Sequence, residues 1–102
     1  MIVREWSATA TDEGAAAYRA HFDEAVLPAL HDVAGFVRAS LLIRRDEGLW
    51  KIRVLTVWQG LEAVQAFAGA DAEAARVDPA AQVMLTSHDT RAVHWTLVRE
   101  AD

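Results

Sequence analysis

A chain of 102 residues with a formal net charge of −5 and a pI near 5.2 has the size of one domain and a surface that repels phosphate backbones. No run of Lys or Arg offsets that charge, which excludes nucleic acid as a partner, while a 53% hydrophobic composition supplies a packed core. Cysteine is absent, so disulfides, thiolate metal centres and cysteine nucleophiles are excluded together.

The opening "MIVREW" shows no charged leader ahead of an apolar block, and no stretch approaches the roughly 20 apolar residues that span a bilayer. A cytoplasmic protein without membrane attachment is expected. Residues 2 to 9, "IVREWSAT", are rich in β-branched and aromatic types and predict a first strand. Thr11 or Asp12 then caps a helix carrying Tyr18, Phe22, Val26, Ala29 and Val33, an apolar stripe at helical period. Pro28 lies within the stripe, so a kink or break is expected there, and Gly35 is the predicted stop.

Residues 36 to 44 and 49 to 58 predict two strands of a hairpin joined at "RDEG". Leu61, Val64, Phe67 and Ala68 repeat at helical spacing up to Gly69, "ADAEAAR" predicts a further helical turn, and Asp78-Pro79 starts another. "TRAVHWTLV" reads as the fourth and last strand, with "TSHD" before it as a turn. The order is β-α-β followed by β-α-β, the α+β, ferredoxin-like arrangement of a four-stranded antiparallel sheet covered on one face by helices. The third strand places Ile52, Val54, Thr56 and Trp58 on one side and Lys51, Arg53, Leu55 and Val57 on the other. Both sets end apolar, which predicts a homodimer packed sheet on sheet.

Three stretches, "VLTVWQGLEAVQAFAG", "VLPALHDVAGF" and "ARVDPAAQVML", together with the terminal "VHWTLV", resemble the antibiotic biosynthesis monooxygenase family of dimeric α/β barrels. The resemblance runs from about Ile2 to Val98. It implies a single domain, residues 1–102, whose sheet pairs with a second copy into a barrel, and a cleft between sheet and helices that binds a small apolar aromatic or polyketide-like molecule. It further implies monooxygenation without metal, flavin or other cofactor: loss of a proton from an activated phenol or anthrone gives a carbanion that reduces O2 directly. Trp58 matches the tryptophan that the family places beside the cleft. The haem-degrading branch has an asparagine, a tryptophan and a histidine where this chain has Glu5, Phe67 and Val77, which disfavours haem degradation.

The residues that could carry such chemistry are few. His21, three positions after Tyr18 on the flank of the helical stripe, is a candidate base, since imidazole is the side chain suited to a weakly acidic phenol near neutral pH; its other reading is a surface histidine. His94, between Val93 and Trp95, is either a second base or a hydrogen-bonded core group. Trp58, Tyr18, Phe22 and Trp6 are the expected substrate-binding aromatics, each equally at home in a core. Arg4, in strand register with Trp6, must reach a rim or pair with an acid such as Asp89 or the Glu5 of a neighbouring chain. His31 and His88 read as solvent-facing or capping residues. The histidines at 21, 31, 88 and 94 lack the spacing of a helical ligand pair, so no metal is expected. Two functions stay open on the sequence: an oxygenase, or a related isomerase or cyclase, and a non-catalytic binding or structural dimer of the same fold.

Overall fold

A computed structural model describes all residues, 1–102. The chain forms β1 (Ile2–Ala10), α1 (Asp12–His21), a π-helical turn (Phe22–Val26), α2 (Leu27–His31), β2 (Phe36–Asp46), β3 (Leu49–Trp58), α3 (Leu61–Ala68), α4 (Pro79–Gln82), β4 (Ser87–His88) and β5 (Val93–Thr96). β1 lies inside an antiparallel sheet, with β3 and then β2 on one side and both β4 and β5 on the other. This is the expected ferredoxin-like order. The predicted fourth strand, however, is two short pieces, and "TSHD" supplies the first of them rather than a turn. "ADAEAAR" forms no helix; its Ala74 makes a single β-bridge to Arg91.

Alternation decides the faces. Ala8, Ala10, Ile52, Val54, Thr56 and Trp58 are buried beneath the helices, whereas Arg38, Ser40, Leu42 and Arg44 of β2 stand exposed on the other face. Thr11 is the helix cap, its Oγ1 accepting from the Gly14 N–H at 3.2 Å, while Asp12 instead accepts from Trp50 Nε1 at 2.8 Å. The β2–β3 loop is two residues, Glu47 and Gly48, both at positive φ, the primed geometry that matches strand twist.

The expected kink takes a specific form. Pro28 has no N–H to give the preceding turn, and the helix accommodates it by widening immediately upstream: the Leu27 N–H bonds Phe22 O, five residues back. The wider turn shifts the phase of the apolar stripe. Tyr18, Phe22 and Leu30 are buried, whereas Ala29 and Val33 of the predicted stripe are not. Gly35 adopts φ +91°, and a Cβ there would stand 2.6 Å from Ala63 Cβ, so the turn after α2 needs glycine on both counts. At Gly14 a Cβ would lie 2.1 Å from the Met84 carbonyl oxygen; α1 and the segment after α4 therefore touch backbone to backbone.

No helix is long and apolar enough to cross a membrane.

Candidate functional site

Between the helix-facing side of the sheet and the arch from α1 to α2, the side chains leave a cleft of about 450 Å3. Trp6, Val54 and Thr56 form its floor, Tyr18, His21, Val26, Ala29 and Leu30 one wall, and Phe67, Arg76, Val77 and Pro79 the other. Its volume lies in the range of small-molecule sites. Around the π-helical turn small Ala25 and Ala29 face this space beside Val26 and Leu30.

Three of the sequence-predicted residues meet here. Trp6 and Tyr18 have ring centroids 6.0 Å apart, and Tyr18 and His21 5.9 Å apart. Trp6 is fixed by its Nε1–H, which donates to Asp89 O at 2.9 Å. Burial pushes the Tyr18 phenol up to about 12, so at neutral pH it is a donor and never an anion. Its hydroxyl has no partner within the chain and is not sealed off from solvent, which leaves it directed at the cleft. His21 is half-buried and is the one imidazole lining the cleft.

The other three lie elsewhere. Trp58 is fully buried, with Phe36 and Phe67 each 5.4 Å away by ring centroid and its Nε1–H donating to Thr56 Oγ1 at 2.9 Å; it backs Phe67 and does not line the cleft. Phe22 is buried against Tyr18, behind the wall. His94, on β5, faces Arg4, with its Nε2 2.9 Å from Arg4 Nη1. A guanidinium has no acceptor, so His94 Nε2 is the acceptor and its proton sits on Nδ1. Burial, and then the Arg4 charge, hold the His94 pKa below the ordinary imidazole value, which keeps this acceptor form. His88, expected to face solvent, is half-buried with its ring centroid 6.4 Å from Trp6.

Within this chain Arg4 finds no acid, Asp89 included. It is 5% exposed, donates from Nη1 to Ala72 O and from Nη2 to Ala74 O at 2.6 Å, and lines the cleft. Those carbonyls belong to the segment read as a helical turn. They are held by Arg91, which bonds Asp71 at 3.0 and 3.1 Å and Glu73 at 3.0 Å and thereby holds the Asp71 carboxyl below its usual range. Glu5 of this chain points to the opposite face, where it accepts from Trp95 Nε1 at 2.9 Å and pairs with Arg53 at 3.2 Å. Arg76, Val77 and Pro79 come from a stretch without hydropathy period; the Asp78-Pro79 helix start was its one legible signal.

No group of three His, Asp or Glu side chains is placed to hold a metal ion. No protein-family model and no curated protein matches the chain. Solved structures do. The haem degrader MhuD from Mycobacterium tuberculosis, with two haems bound in its active site, superimposes with a TM-score of 0.66 at 23% identity over 100% of both chains. A substituted form of MhuD, with two manganese protoporphyrin IX per active site, gives 0.64 at 23% identity, covering 100% of this chain and 99% of the other. A Bacillus cereus protein described as a candidate antibiotic biosynthesis monooxygenase gives 0.67 at 12% identity, covering 99% and 96%. The chain has the fold of these proteins from end to end.

Proposed function

We propose that this chain is a member of the antibiotic biosynthesis monooxygenase family and a cofactor-independent monooxygenase of small aromatic or polyketide-like molecules. The observation that carries the reading is the cleft itself, in which an unpartnered phenol and an imidazole stand beside an indole floor. Such a lining stacks on a flat ring, donates one hydrogen bond to it and removes one proton.

In this reading Trp6 holds the ring, the Tyr18 hydroxyl hydrogen-bonds a carbonyl or phenol oxygen, and His21 takes the proton. The resulting carbanion passes one electron to O2, and the radical and superoxide combine to a hydroperoxide. Loss of water then leaves a carbonyl. A methylene and O2 thus become a ketone and water, with all electrons supplied by the substrate. The apolar walls keep bulk water from the carbanion. Trp58 and Phe22 act from behind, as the packing that fixes Phe67 and Tyr18.

The haem-bearing neighbours raise a second ligand. Haem iron takes an axial histidine, cysteine, methionine or tyrosine. The wall of Phe67, Arg76 and Val77 offers none, and His21 and Tyr18 on the facing wall lie against each other. His21 or Tyr18 would be the residues to hold haem iron if haem bound here, and no step is drawn through it. An unfilled cleft speaks against a purely structural role.

A homodimer through the open sheet face belongs to the same proposal. Leu42, Val93 and Trp95 are 45%, 52% and 58% exposed on the side opposite the helices, more apolar surface than a solvated sheet needs.

An oxygen-electrode assay with an activated anthrone, in chelator and without added flavin, tests the activity. Uptake above the spontaneous rate that falls in His21→Ala is the expected result; background rates in a folded protein overturn it.

A further inference from the structure

Arg4 and Arg76 set one part of the cleft apart from the rest. Of the arginines in this chain, Arg38, Arg44, Arg45, Arg53 and Arg91 each have a carboxylate oxygen within 4.0 Å. Arg4, Arg76, Arg19 and Arg99 have none, and of these four only Arg4 and Arg76 line the cleft. Both converge on one ring: the Arg4 guanidinium lies 5.8 Å and that of Arg76 5.0 Å from the Phe67 centroid. A buried guanidinium without a counter-charge, with a second one lining the same cleft, is an unfavourable arrangement by itself. The carbonyls of Ala72 and Ala74 and the His94 imidazole occupy three Arg4 donors, leaving its Nε–H and one Nη2 proton uncommitted. Arg76 gives one bond to Phe67 O at 3.2 Å. Asp78, the one acid lining the cleft, is engaged as a helix cap, its Oδ1 accepting from the Ala80 N–H at 2.9 Å.

We propose that this end of the cleft is an oxyanion site, and that the ligand is an aromatic acid whose carboxylate is held by Arg4 and Arg76 beside Phe67 while its ring extends over Trp6 toward Tyr18 and His21. The inference rests on the cleft being a ligand site. It adds the chemical class that the apolar lining alone leaves open. Charge-assisted hydrogen bonds from two guanidinium groups reward an ionised ligand over its neutral isostere. His94 serves here as a positioning residue, its Nε2 orienting the Arg4 plane.

Calorimetric titration of the intact protein with naphthalene carboxylate and with naphthalene carboxamide tests this, using Ala29→Trp to block the cleft. The carboxylate is expected to bind about tenfold more tightly. Arg76→Gln should bring the two affinities together, and added salt should weaken the carboxylate preferentially. Arg76 is exposed, so that variant folds even where an Arg4 substitution does not. Equal binding of both probes, abolished by Ala29→Trp, overturns the oxyanion site and leaves the cleft standing. Binding of neither probe overturns both.

Discussion

Trp6 and Trp58 occupy the same side of the same sheet, one near the middle of β1 and one at the end of β3, and they do different work. Over Trp58 the next layer is complete, with Val64 and Phe67 of α3 and Leu30 of α2 closing on it. Over Trp6 the next layer is incomplete: Tyr18 covers part of the ring, small Ala25 and Ala29 lie further along the helix wall, and a space remains. Whether an aromatic in a sheet register becomes core or site is thus set by the side-chain volume opposite it, not by its own position in the strand.

The largest test of that contrast is truncation. Trp58→Ala should cost ~3–5 kcal/mol in denaturant unfolding, as fully buried aromatics do. Trp6→Ala, at the edge of an existing space, should cost ~1–2 kcal/mol and enlarge the cleft. Equal losses would erase the distinction. Next in size, His21→Ala should lower oxygen uptake by about 10²–10⁴-fold with an unchanged melting temperature, and Trp58→Phe should leave the chemical step intact.

The remaining two tests are titrations. Tyr18 is the sole tyrosine, so an ultraviolet titration reads it directly. Its phenol should ionise near 12 in the folded protein and near 10.0 when unfolded. Because the fold favours the neutral form, the associated stability is complete below 10.0 and is lost as pH rises above it. The smallest effect belongs to His94. Its folded pKa lies below the ordinary 6.5, so the unfolded chain binds the proton more tightly and stability declines as pH falls through 6.5. His94→Gln, which keeps an acceptor for Arg4, should flatten that slope in thermal melts across mildly acidic pH.

Much of the fold was legible because period is a local property. Alternation marked β1, β2 and β3, and the four-residue steps of Tyr18, Phe22 and Val26 marked the first helix. The π-helical turn was legible only as trouble at Pro28, and the residue it inserts moved burial from Ala29 to Leu30, a shift no straight-helix pattern contains. Of the site, Trp6 and Tyr18 could be named since they belong to a periodic strand and a helical stripe, and His21 since it flanks that stripe. Arg76 and the carbonyls around Arg4 could not, because the segment from residue 70 to residue 78 is placed by Arg91 and by long-range bridges rather than by its own hydropathy. Trp58 had the right phase, but phase carries no information about depth.

The central place of β1 also makes its outer edge depend on distant parts of the chain. β1 is flanked on one side by β3 and on the other by β4 and β5, and Arg4, Trp6 and Ser7 are tied to Ala72, Asp89 and His94. Without β4 and β5 that side of β1 would be an open edge able to pair with a neighbouring chain. The floor of the cleft therefore leans on residues that do not line it: removing Ser87–Thr96 would leave β1, β3 and β2 paired, every lining residue present, and Trp6 and Arg4 without the Asp89 and His94 that orient them.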